Sequence, residues 1–143
     1  MSHMDSRQKE MVLHSLESSG HCEIGVGGRS MRPFIEPGDL VHVVKGLRGP
    51  AVGRVVAFFN DEQMIVHRIL GYNRQAGAFL IAGDSSPGSG THIEESAIAG
   101  TVIFTTRNKR TQKAFFNPPM QFIAVAVSFF LRSVAGIIIK VKD

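Results

Sequence analysis

The sequence predicts a mainly β fold, and three observations carry that prediction. Between Cys22 and Thr106, short runs rich in β-branched and aromatic residues alternate with glycine-bearing turns. The chain has 143 residues, 43% hydrophobic and 20% charged, which is an ordinary globular composition with enough length to bury a core. Helical character is confined to the two ends, a polar segment over 5–20 and an apolar one over 120–143.

Residues 1–4, Met1-Ser2-His3-Met4, read as a tag remnant and are left out of the chemistry. The segment 5–20 reads as a helix with Val12 and Leu16 on one face and Gly20 as its stop. The body, 21–106, carries six strand candidates: Ile24–Val26, Leu40–Val44, Arg54–Phe59, Ile65–Gly71, Ala78–Ala82 and Gly100–Thr105. Residues 107–119, basic and then polar and ending in Pro118-Pro119, read as a linker. The tail, 120–143, is read as an apolar C-terminal helix, interrupted by Arg132 and closed by Lys140 and Lys142. Such a helix can pack on the β body, pair with a second copy as a homodimer, or meet a membrane surface through 120–139. A simple span is disfavoured, because a central arginine costs about 2.5–3.5 kcal/mol on insertion scales.

The net charge of +4 comes without a block of like charges or a nucleic-acid motif, so no nucleic-acid partner is expected. The single cysteine, Cys22, excludes an internal disulfide and reads as a small residue at a strand start. His14, His21, His42 and His92 have no metal-ligand spacing, so neither metal nor cofactor is expected. No secretory signal or N-terminal anchor is read. The expected location is cytoplasmic or peripheral to a membrane.

Three segments can carry chemistry. In Gly27-Gly28-Arg29-Ser30-Met31-Arg32-Pro33, the glycines allow a sharp turn that presents the Ser30 hydroxyl, with its own N–H available to an oxyanion. Met31 is expected to turn inward and Pro33 to stiffen the exit. In Ile65-Val66-His67-Arg68-Ile69, strand alternation places His67 on one face and Arg68 on the other. A serine hydroxyl needs a neighbouring base, and a neutral imidazole has a suitable proton affinity. In Ile81-Ala82-Gly83-Asp84-Ser85, an acid at a turn after a strand can orient a histidine or simply cap the turn.

Taken in order, Ser30-Met31-x-Pro33, Gly38-Asp39-Leu40-Val41, Val66-His67-Arg68, Gly83-Asp84 and Ile98-Ala99-Gly100-Thr101-Val102 resemble the signal peptidase I and self-cleaving SOS-repressor superfamily over roughly 22–105. Having His67 where bacterial signal peptidases and the repressors use lysine, the chain is similar to the branch of the endoplasmic reticulum, archaea and some spore formers. The resemblance implies a compact, mostly β peptidase fold with the serine at the edge of an extended groove. It also implies Ser30 as nucleophile, His67 as base, Asp84 as orienting acid, and a peptide or protein substrate. Three departures accompany it. Gly28 stands where signal peptidases often carry an oxyanion-hole serine. Gly53-Arg54-Val55-Val56 replaces a Gly-Asp-Val-Val box. Pro87-Gly88-Ser89-Gly90 lacks a second acid. An inactive peptide-binding module of the same fold, a self-cleaving regulator and a membrane-associated structural protein are the other readings.

Overall fold

The computed structural model describes residues 4–85 and 90–112, together with positions 126, 127 and 130. Among them the chain is mainly β: one antiparallel sheet of eight strands and one α-helix. The helix, α1, runs Ser6–Ser18. Asp5 caps it: its carboxylate accepts from Gln8 N–H at 2.8 Å, and the Gln8 side chain accepts from Asp5 N–H at 2.9 Å. This reciprocal box satisfies backbone donors that a helix start leaves open.

The strands are β1 (His21–Gly25), β2 (Leu40–Lys45), β3 (Val55–Asn60), β4 (Gln63–Asn73), β5 (Ala78–Ala82), β6 (Thr91–Ile93), β7 (Ile98–Arg107) and β8 (Arg110–Gln112). Their order across the sheet is β1-β2-β7-β3-β4-β5-β6, with β8 paired to β7. Register shifts at His42/Val43, Ala57/Phe58 and Ile69/Gly71 interrupt the ladders. Irregularities of this kind bend strands and increase twist.

Two apolar clusters flank the sheet. Leu16, Cys22, Met31, Ile35, Val41, Val43, Val55, Ala57 and Val102 form the first. Val56, Ile69, Phe79, Ile81 and Ile98 form the second. Consecutive residues Val55 and Val56 enter different clusters because side chains alternate across a strand. Strand β3 is therefore covered on both faces, which accounts for its continuous apolar run.

One reading from sequence is corrected here, and a further strand lies outside the six candidates. His92 lies in that strand, β6, a three-residue edge strand paired to β5. Residues 107–112, read as the start of a linker, instead end β7, turn and form β8. Asn108 and Lys109 both adopt positive φ, 50° and 64°, as a two-residue hairpin turn with the twist of its strands requires. Too few apolar residues lie in either short strand to show period-2 alternation. The remainder of the expected linker and nearly all of the tail fall outside the described residues. Ala126, Val127 and Phe130 have helical backbone.

Gly100 sits where β7 passes between β2 and β3, opposite Lys45 and Ala57. A Cβ there would run into Val43 Cγ1 and the Val44 carbonyl. Gly100→Ala is expected to destabilise the domain by about 1–3 kcal/mol through overpacking, read as a lower urea midpoint at unchanged slope.

Candidate functional site

The Ser30 loop leaves β1 and returns to β2. Turn bonds run from Arg32 N–H to Arg29 C=O (3.2 Å), and from Phe34 and Ile35 N–H to Met31 C=O (3.0 and 2.9 Å). Met31 and Ile35, 3% and 0% exposed, pin the loop to the first cluster. Ser30, just before them, stays half-buried at the surface. The Arg32–Pro33 peptide is cis. Gly38 has φ of 91°, and its N–H donates to Val26 C=O at 2.8 Å, closing the loop at its base.

The expectation that Gly28 is required by a sharp turn is corrected. A Cβ on Gly28 meets nothing within 4 Å, and its φ is not positive. Loop shape comes from the two buried anchors and the Gly38 closure, which a local glycine pattern does not reveal.

Ser30 and His67 line the same groove, about 900 Å³ in volume, together with Gly27, Gly28 and Met31. His67 projects from β4 opposite Val56 and lies edge-on to the Phe58 ring, with centroids 6.0 Å apart. Its Nδ1 atom is shielded from solvent.

The groove runs between two strand edges. Lys45 N–H to Gly20 C=O (2.8 Å) and Val26 N–H to Asp39 C=O (2.9 Å) set the phase of the β1–β2 ladder. Antiparallel pairing alternates residues that bond the partner with residues that face away. Glu23 and Gly25 consequently turn their N–H and C=O groups away from β2. On β4, Ile69 N–H donates to Arg54 C=O at 2.8 Å, so Met64 and Val66 turn theirs away from β3. Strand β5 joins β4 only from Arg68 onward. Glu23, Gly25, Met64 and Val66 all line the groove.

Beside the groove lies a buried ion pair absent from the sequence reading. Arg68 and Asp84 are both 0% exposed. Arg68 Nε donates to Asp84 Oδ1 at 2.8 Å and Nη2 donates to Oδ2 at 2.9 Å. Nη1 donates to Gly53 C=O at 2.8 Å, and the guanidinium stands over the Phe34 ring at 5.2 Å. The neighbouring Ser85 completes the connection: its N–H donates to Ser30 C=O at 2.9 Å and its hydroxyl to Arg29 C=O at 2.8 Å. The resemblance implies Asp84 as the acid that orients His67. The structure gives its carboxylate a bidentate partner in Arg68 and, through Ser85, makes the Gly83-Asp84 turn a brace for the Ser30 loop. A serine directly after a Gly-Asp turn was the available signal; its distant partner was not.

Asp39 anchors the other side of the loop. Arg107 Nε and Nη2 donate to its two oxygens at 2.7 and 2.8 Å, and Glu36 N–H donates to Oδ2 at 2.9 Å. These bonds, the Arg107 one first, hold the Asp39 carboxyl below its ordinary range against the opposing effect of burial. Arg54, standing where the related box has an acid, is buried and donates from Nε to Pro50 C=O at 3.3 Å. Burial raises the Cys22 thiol above its usual value, which disfavours the nucleophilic thiolate.

Among the described residues, no group of three metal-ligating side chains and no helix long and apolar enough to cross a membrane is found. No protein-family model matches the chain, and no curated protein matches it.

Two outcomes test this geometry. Arg68→Met leaves the buried Asp84 charge without its guanidinium, and a loss of about 3–5 kcal/mol is expected in denaturant unfolding. The depressed Asp39 value means the folded state binds fewer protons than the unfolded one between the two values. Stability from this group is present above about pH 4, the unfolded carboxylate value, and is lost as pH falls through the lower folded value. Melting temperature between pH 2 and pH 6 is therefore expected to fall less steeply for Arg107→Gln than for the parent.

Proposed function

We propose that the chain is a serine endopeptidase of the signal peptidase type, with Ser30 as nucleophile and His67 as base. The observation that carries this reading is the shared groove: the only two residues proposed for proton transfer both line it, between strand edges that an extended peptide can complete. The compact peptidase fold named by the resemblance is part of the same proposal.

In this mechanism an extended segment adds to the edges at Glu23, Gly25, Met64 and Val66, which brings an amide carbonyl to Ser30. His67 takes the hydroxyl proton as Ser30 Oγ attacks the carbonyl carbon. Backbone N–H groups of the loop hold the oxyanion. The C–N bond breaks as His67 protonates the leaving amine. Water, deprotonated by His67, then releases the acyl group and regenerates Ser30. Asp84 acts as a positioning residue: it secures Arg68, whose neighbour in the chain is His67, and its own neighbour Ser85 fixes the Ser30 loop. The carboxylate retains lone pairs beyond those used by Arg68. No metal or cofactor takes part in these steps.

A second reading, an inactive peptide-binding module, draws on Gly28, which supplies no hydroxyl to an oxyanion hole. The open space around Gly28 makes the two readings separable.

Ser30→Ala and His67→Ala are each expected to lower peptide cleavage by about 10⁴-fold or more while leaving the melting temperature unchanged. A serine-directed phosphonate should label the parent at Ser30 alone; labelling elsewhere, or none at alkaline pH, favours the binding module. Gly28→Ser is expected to fold normally and to raise turnover by roughly tenfold or more, since one oxyanion donor is worth about 10²–10³ in related chemistry.

A further inference from the structure

We infer that α1 closes the far end of the groove and restricts the peptidase to chain ends, admitting about five residues between the cut bond and the substrate terminus. The inference rests on the peptidase reading and names its substrate class: peptides, or protein termini, whose free end lies close to the scissile bond.

The ends of the two strand edges set the geometry. Strands β1 and β4 run in the same direction, since each neighbouring pair in the series β1, β2, β7, β3, β4 is antiparallel. The Ser30 loop follows the end of β1, and His67 lies late in the stretch of β4 that precedes its pairing with β5. The opposite end of the groove is therefore marked by His21 on β1 and Gln63 on β4. Helix α1 reaches both places. Its C-terminus enters β1 directly through Ser19-Gly20, and Glu17 holds Lys45 Nζ at 2.9 Å. Near its N-terminus, Lys9 Nζ donates to Asp61 C=O at 2.9 Å, pairs with Glu62 at 3.8 Å and stands 5.1 Å from the centre of the Phe59 ring. Those three partners surround the β3–β4 turn.

Dimensions agree with a crossing. A slot one strand wide leaves about 10 Å between the strands on either side. The helix from Lys9 to its Ser19 cap covers about 15 Å at ~1.5 Å per residue. Gln8, Met11, Val12 and Ser15, spaced as one helical stripe, line the groove. From Cys22 to Val26 the groove wall measures about 13 Å at ~3.3 Å per residue, room for about four or five peptide residues before the helix.

The fastening is uneven. Leu16, in the C-terminal half, is the buried residue of α1, and Val12 at its midpoint packs partly against the same cluster. The N-terminal half is held at the β3–β4 turn by Lys9, and Glu62 there is largely exposed. Exposed ion pairs contribute little, about 0–1 kcal/mol. Lys9→Glu places a third negative charge beside Asp61 and Glu62 and should release that end without disturbing Leu16.

The test is cleavage of a mixed library of synthetic peptides longer than the groove, with every cut mapped by mass spectrometry. The parent is expected to cut within about five residues of one and the same terminus in most peptides. Lys9→Glu, and a deletion ending before Val12, should each shift cuts inward and raise the internal fraction several-fold. Thermal melts establish that both variants stay folded. Parent cuts spread evenly along the peptides, or a deletion variant that keeps the end-restricted pattern, would overturn the stop and leave the peptidase standing. Absence of any cut that depends on Ser30 would overturn the peptidase reading itself, and the stop with it.

Discussion

The site depends on a buried charge pair. Arg68 and Asp84 are both fully buried, and neither tolerates that position alone: removing one partner of such a pair costs several kcal/mol because the other charge stays in a poor solvent. Two parallel hydrogen bonds also fix orientation as well as distance. With Arg68 seated on β4, Asp84 holds the turn after β5. Ser85 is then aimed at the backbone of Arg29 and Ser30, and Phe34 from the same loop lies against the guanidinium. One side chain thus ties the strand carrying His67 to the loop carrying Ser30. A second bidentate pair, Arg107 with Asp39, holds the base of the loop from the other side. The loop with Ser30 and the strand with His67 are held by two bidentate ion pairs.

The groove between β1 and β4 has a different physical origin. A strand edge with unbonded backbone groups invites pairing, and most proteins protect such edges with charge, bulges or a covering element. Here two edges run side by side and one helix crosses their far end. The arrangement leaves main-chain donors and acceptors at Glu23, Gly25, Met64 and Val66 directed into one channel. Recognition through main-chain bonds reads backbone conformation first and side chains second, which suits an extended peptide of varied sequence. The same helix lines that channel through Gln8, Met11, Val12 and Ser15.

Much of the β body is legible in sequence because its signal is local. Alternation in Ile65–Ile69 and the apolar run of Val55–Phe59 identify strands without reference to their neighbours. The short strands β6 and β8 are not legible in this way: three residues cannot show a period, and pairing to β5 and β7 is what makes them strands. Gly28 shows the opposite error. Its sequence context suggested a steric need, yet the backbone there has room for a side chain. Gly100, an unremarked member of a strand pattern, is the glycine whose hydrogen matters, since Val43 and Val44 approach it from a strand distant in sequence.

By itself the amino-acid order determined the mainly β character and which residues carry a hydroxyl or an imidazole. It did so because propensity, alternation and side-chain reactivity belong to residues and their near neighbours. Only the tertiary structure decided that Ser30 and His67 border one groove, that Asp84 is bonded to Arg68, and that α1 crosses the groove end. Each of those facts depends on distances between segments far apart in the chain, which packing and charge burial fix together and no single segment encodes.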